Sequence, residues 1–161
     1  YGNATKAAVK AFQKNCGITA DGVAGPKTLL YLGLGGGSSG NSTGYSDADV
    51  ELLAKVISAE ARGESYEGQV AVGAVILNRV AHPSFPGTLY DVVYQPGQFY
   101  PEKTGCMEKT PNAESVAAAK LCLEGAVVVP NAYWFNGVGK SCWASRNKTC
   151  VAVIGGHAFY G

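Results

Sequence analysis

Among the 161 residues, Glu60 is the carboxylate whose spacing speaks most directly of chemistry. It follows Leu53 by seven positions, Val56 by four and Ile57 by three, which on a helix sets it on or beside the apolar stripe. A carboxylate placed there loses hydration, and Gly63 ends the helix one turn on, so the negative end of the helix dipole disfavours the anion further. Both effects raise the pKa, toward an acid that still holds its proton near neutral pH. Such a group can protonate a leaving glycosidic oxygen. Spacing alone leaves an alternative open, a solvated glutamate paired with Arg or Lys near a frayed helix end.

A glycosidase that works with two carboxylates holds them about 5–5.5 Å or about 6.5–9.5 Å apart. Glu64, Glu67, Asp91 and Glu102 are the other candidates, but Gly63 interrupts the helix before Glu64 and the rest fall in turns or loops. None is fixed relative to Glu60 by sequence. His82 and His157 stand 75 residues apart with no HxxxH spacing, so no zinc site, other metal or cofactor is expected. The five cysteines (16, 106, 122, 142 and 150) contain no CxxC. Cys142 and Cys150 enclose a short polar loop and either bridge or stay apart as thiols. His157 with a cysteine would make a papain-like endopeptidase, although no cysteine here has a recognisable nucleophile context.

The elements that must carry these residues are legible from caps and periods. Ser46 with Asp49 caps a helix whose apolar stripe is Val50, Leu53, Ala54, Ile57 and Ala61. A second helix runs from about Glu67 to Ala81, its small residues Ala71, Gly73 and Ala74 allowing close contact, and Pro83 and Pro86 end it. An aromatic-rich stretch from Phe85 to Met107 reads as irregular. Pro111 opens a third helix through Glu124, closed by Gly125. Ala132–Phe135, Val151–Ile154 and His157–Tyr160 read as strands, the last two joined by a Gly155-Gly156 turn. The fold class expected is α+β, mainly helical with a small β region.

Composition narrows the function classes. The chain is 47% apolar and 16% charged, too apolar for a disordered chain. Its net charge of +1 gives no field to draw it to nucleic acid or anionic lipid. No apolar run approaches the roughly 20 residues of a membrane span, and Tyr1-Gly2-Asn3 shows neither the basic nor the apolar region of a signal peptide. The Gly/Ser stretch over residues 33–44 reads as a flexible linker reaching about 20 Å. It separates residues 1–32, with four lysines and one aspartate, from residues 45–161, with nine basic and eleven acidic residues. The short piece shows Ala8, Val9 and Phe12 at helical spacing, turns at Asp21-Gly22 and Gly25-Pro26, and a second helix carrying Leu29, Leu30 and Leu32.

Two resemblances add to these readings. Ala8-Val9-Lys10-Ala11-Phe12-Gln13-Lys14, followed by Asp21-Gly22-Val23-Ala24-Gly25-Pro26-Lys27-Thr28, resembles the small three-helix peptidoglycan-binding domains, here as a partial copy over residues 1–32. Ile57 to Glu64, Gly68 to Val72 and Ala74 to Val80 resemble the core of the SleB/CwlJ-type cell wall hydrolases. Tyr94 to Phe99, Ala132 to Asn136 and Gly156 to Tyr160 continue that likeness across residues 45–161. It implies a lysozyme-like fold of the lytic-transglycosylase kind, with Glu60 as catalytic acid. The substrate it implies is peptidoglycan, cut between N-acetylmuramic acid and N-acetylglucosamine in the cell wall or spore cortex. Glu64, Asn78, Gln98, Tyr133 and Asn136 fall in the shared motifs as substrate-binding candidates, and Tyr100, Trp134 and Trp143 could stack on sugar rings. The resemblance favours a transglycosylase, which uses one carboxyl twice and leaves 1,6-anhydromuramyl ends. A hydrolytic muramidase, a non-catalytic peptidoglycan-binding protein and a spore or envelope scaffold protein are the alternatives.

Overall fold

The computed structural model describes residues 2–15, 20–24, 28, 45–99 and 108–161. The chain divides into two units, Tyr1–Ser42 and Thr43–Gly161. The expected second amino-terminal helix, the linker over 33–44, and Cys16, Tyr100, Glu102 and Cys106 fall outside the described residues, apart from Thr28, which is helical. Among the described residues no helix is long and apolar enough to cross a membrane.

In the first unit, helix α1 (Asn3–Asn15) presents Gln13, which is 1% exposed. Its amide Nε2 donates to Asp21 Oδ1, the Val23 carbonyl and Thr28 Oγ1, and its Oε1 accepts from the Gly22 N–H at 2.8 Å. Gly22 has φ +76°, and a Cβ there would meet Lys6 Cγ at 2.7 Å. The Asp-Gly turn is therefore a glycine requirement satisfied around a buried glutamine.

In the second unit, α2 (Asp47–Ala61), α3 (Tyr66–Ala81) and α5 (Ala113–Leu123) pack on one another. The Ser46–Asp49 capping box at the start of α2 forms as the sequence implies. Leu53, Val56, Ile57, Val72, Val75 and Ile76 are all 0% exposed, each such side chain contributing about 1.5–3 kcal/mol by leaving water. Close approach depends on Gly73, where a Cβ would stand 2.7 Å from Cys122 Sγ on α5 and 2.9 Å from Ile57 Cδ1 on α2. Gln69, also fully buried, accepts from Ser115 Oγ at 2.7 Å and donates to the Glu64 carbonyl at 3.3 Å, so α5 holds the loop just beyond α2.

Two short helices depart from the expected irregular structure: α4 (Leu89–Val93), capped by Thr88 with its hydroxyl accepting from the Asp91 N–H, and α6 (Trp143–Asn147), capped by Cys142. Five residues span too little of a helical period to show a stripe. The strands β1 (Trp134–Gly137), β2 (Cys150–Ile154) and β3 (His157–Tyr160) form an antiparallel sheet in the order β1-β3-β2. Trp134 pairs with Tyr160 and Phe135 with Phe159, and a bulge interrupts β2 between Cys150 and Ala152. Alternation sends Phe135, Phe159, Ala152 and Ile154 toward α3, while Trp134, Ala158 and Tyr160 face α6. Cys142 and Cys150 are separate thiols: the first accepts from Ser145 N–H as the α6 cap, and the second is exposed and lies on the Ala152 carbonyl.

Candidate active site

The last turn of α2, the last turn of α3, the loop at Gly97–Phe99, β1 and the start of α6 enclose a cleft of about 460 Å³. Glu60, Arg79, Gln98, Phe99, Trp134 and Trp143 are among its walls, and Glu60 is the one carboxylate among the described residues that line it. The volume falls within the range of about 300–1,000 Å³ common to ligand sites. Glu60 reaches the cleft because its neighbours Ile57 and Ala61 are anchored in the core one helical face away. Burial pushes its carboxyl above the usual glutamate range, and no charge partner works against that shift.

Arg79 faces it from α3. Its side chain follows Val72 and Val75 along the buried stripe and is 3% exposed. Nε donates to the Tyr133 carbonyl at 2.6 Å and Nη1 to Gln98 Oε1 at 2.7 Å. The guanidinium lies 5.1 Å from the Phe85 ring centroid and 4.7 Å from that of Phe99. Burial lowers its pKa to about 10, so it is charged at neutral pH. Among the described residues it has no carboxylate within 4.0 Å. Arg79 thus ties the loop carrying Gln98 and Phe99 to the strand carrying Trp134. Sequence reading sets Asn78-Arg79 at the end of the second helix as a pair that structures the cleft floor, and the spacing argument that singles out Glu60 applies equally to an arginine seven residues after Val72 and four after Val75.

The other candidates separate. Gln98 lines the cleft with Glu60. Asn78 turns away, its Nδ2 donating at 2.9 Å to each of the carbonyls of Val129 and Ala132, so it braces the loop before β1. Asn136 donates to the Lys140 carbonyl at 3.0 Å and closes the turn after β1. The Tyr133 ring packs 4.8 Å from that of His82 and 5.8 Å from that of Phe85, outside the cleft walls. Trp134 and Trp143 do line the cleft, with centroids 5.7 Å apart.

Glu64 also leaves the cleft and grips the β2–β3 hairpin. Its Oε2 accepts from the Gly156 N–H at 2.8 Å, and Oε1 lies 3.6 Å from His157 Nδ1. A Cβ at Gly156 would stand 2.7 Å from Glu64 Oε1, and one at Gly155, whose φ is +56°, would collide with Oε2. Gly155 is required by its positive φ, and at both turn positions a side chain would displace that carboxylate. The His157 ring in turn meets Phe135, a cleft wall, edge-on at 5.4 Å. Glu64→Ala should lower stability by about 1 kcal/mol, read by thermal unfolding, since one charge-assisted bond is lost at a partly exposed site. An unchanged melting curve would show that the hairpin holds without it. Among the described residues no cysteine hydrogen-bonds His157.

The Cell Wall Hydrolase family matches residues 63–160, and a peptidoglycan binding domain family matches residues 1–32. A spore cortex-lytic enzyme of Bacillus cereus is 33% identical over 193 residues, covering 99% of this chain and 73% of that protein. The cell wall hydrolase CwlJ of Bacillus subtilis is 30% identical over 122 residues, covering 71% of this chain and 86% of its own. The crystal structure of the catalytic domain of the Bacillus cereus SleB protein superposes with a TM-score of 0.68 at 35% identity, covering 79% of this chain and all of that one. The catalytic domain of the germination-specific lytic transglycosylase SleB from Bacillus anthracis gives the same TM-score at 34% identity, covering 75% and 100%. With a match over more than half its length and a relative aligned along nearly all of it, the chain belongs to the cell wall hydrolase family.

Proposed function

We propose that the chain cleaves peptidoglycan glycan strands between N-acetylmuramic acid and N-acetylglucosamine, as a lytic transglycosylase acting on spore cortex. The observation that carries this is one carboxyl among the described residues that line the cleft, its pKa raised by burial, facing aromatic rings and an amide. Glu60 gives its proton to the glycosidic oxygen as the bond to the muramyl anomeric carbon breaks. The muramyl C6 hydroxyl then closes on that carbon, and the Glu60 carboxylate takes the hydroxyl proton. One group serves as acid and then as base, no water is consumed, and the enzyme returns to its starting state.

Gln98 offers an amide to sugar hydroxyls or N-acetyl groups, and Trp134 and Trp143 offer ring faces to pyranose rings. Asn78, Glu64 and Asn136 position the walls, and Tyr133 supports Trp134 from behind. Residues 1–32 would hold the enzyme on the wall, raising its local concentration through the linker without changing the chemistry. Its work would then lie at the cell wall or cortex.

The products decide. Purified cortex and vegetative sacculi digested with the full chain should yield muropeptides with 1,6-anhydromuramyl ends, one water lighter than reducing ends by mass spectrometry. Reducing ends alone would make it a muramidase. Binding to sacculi with no release of fragments would make it an adhesive protein.

A further inference from the structure

Trp134 belongs to two hollows. Beside the cleft of Glu60 it also walls a second cavity of about 410 Å³, together with His82, Ser84, Phe85, Tyr133 and Lys148. The aromatic wall is braced: Phe85 stacks on Tyr133 at 5.8 Å, and Tyr133 meets Trp134 edge-on at 5.8 Å. Lys148 Nζ lies over the Trp134 ring at 4.5 Å and 5.8 Å from the centroid of Trp143. Among the described residues no carboxylate lies within 4.0 Å of that ammonium, and it donates no side-chain hydrogen bond. Residues 45–161 carry nine basic and eleven acidic residues, so any attraction for an anion here is local to Lys148.

We propose that this cavity is a second subsite of the glycan groove, holding a muramyl unit through the carboxylate of its substituent. Lys148 pairs with the carboxylate, the Phe85–Tyr133–Trp134 wall takes the apolar face of the unit, and Trp134 makes the two subsites continuous. An N-acetylglucosamine unit has no carboxylate, so the subsite sets which sugar of the alternating strand lies there and hence the register of the strand across Glu60. This rests on the glycan-cleaving function proposed above. Two sources could supply the anion, a carboxylate of the stem peptide or, on a unit that carries no stem, the free lactyl carboxylate.

The test uses the full chain and its Lys148→Met variant, which keeps the alkyl stem against the rings and removes the charge. The substrates are soluble peptidoglycan strands, the same strands with their carboxylates converted to methylamides, and strands stripped of peptide by an amidase. The parent should show a KM about fivefold higher on the amidated strands, the size expected of a partly exposed ion pair. Lys148→Met should show that higher KM on untreated strands and no further loss on amidated ones, with kcat kept in both. An amidase frees the lactyl carboxylate that a stem holds as an amide, so stripped strands that keep the low KM show that the subsite accepts either carboxylate of the unit, and stripped strands that lose it assign the pairing to the stem. The proposal is overturned if Lys148→Met matches the parent on untreated strands, or loses the same factor on both kinds. A parent that cleaves all substrates with one KM sinks the subsite alone. A parent that cleaves none sinks the subsite and the glycan-cleaving function together.

Discussion

Glu60→Gln should abolish turnover on sacculi, with kcat lower by about 10³ or more, while the variant still binds them. The amide keeps the shape of the side chain and can neither give a proton to the glycosidic oxygen nor take one from the C6 hydroxyl, so both halves of the reaction stop. A group acting in only one half would leave a slow route through the other. In the parent, the required form is the protonated acid, and burial holds the proton to higher pH than an ordinary glutamate. Activity should therefore fall as pH rises through that raised pKa, and this limb should vanish in any variant that retains slow cleavage by another path.

The same substitution should stabilise the fold at neutral pH. Because the folded-state pKa lies above the unfolded one, the folded chain keeps a proton that the unfolded chain has already released. Stability is lost as pH climbs from the ordinary carboxylate value through the raised one, and stays lost above it. The glutamine variant carries no such loss. It should melt with the parent below about pH 4, where both states hold the proton, and above the parent at pH 7. A variant that cleaves as fast as the parent would remove Glu60 from the chemistry. A variant that melts lower at pH 7 would show that the carboxylate has a stabilising partner in the folded chain.

Local signals were sufficient for the scaffold. The Ser46–Asp49 box, the small residues of α3 and the Gly155-Gly156 turn each announce themselves within a few positions, and each forms. What lies beyond reach is side-chain partnership at long range. Asn78 and Glu64 sit in motifs that read as substrate contacts, yet Asn78 is spoken for by carbonyls more than fifty residues on and Glu64 by a backbone N–H 92 residues away. No period or cap encodes such distances. The short helices α4 and α6 escaped for the opposite reason, being too brief for a stripe. The Thr88–Asp91 cap, with Thr88 Oγ1 donating to Asp91 Oδ2 at 2.6 Å, was nevertheless present to be read. The place of Glu60 on the cleft wall was legible because its signals are local: one helix, one stripe and one terminus.

Arg79→Met should lower stability by about 2 kcal/mol and kcat/KM by about a hundredfold, although Arg79 is one helix away from the acid. Two opposing effects set the stability figure. Burial holds its pKa near 10 against an ordinary 12.5, which corresponds to about 3 kcal/mol of lost hydration. Against that stand charge-assisted bonds to the Tyr133 carbonyl and Gln98 Oε1, each about 1.5–3 kcal/mol, and faces of Phe85 and Phe99 at about 0.5–1 kcal/mol each. The bonds outweigh the hydration, so methionine destabilises even though it fills the space. The loss of activity is larger because these contacts fix the Gln98 loop and the Trp134 strand on either side of the cleft, and a displacement near 1 Å at a catalytic site costs about a hundredfold. Arg79→Lys separates charge from shape, since an ammonium keeps the cation but cannot span both acceptors with a planar fork. Lysine should recover part of the stability and little of the activity. Full activity in the lysine variant would mean that the positive charge alone is what the cleft requires, and that the fork between loop and strand is incidental.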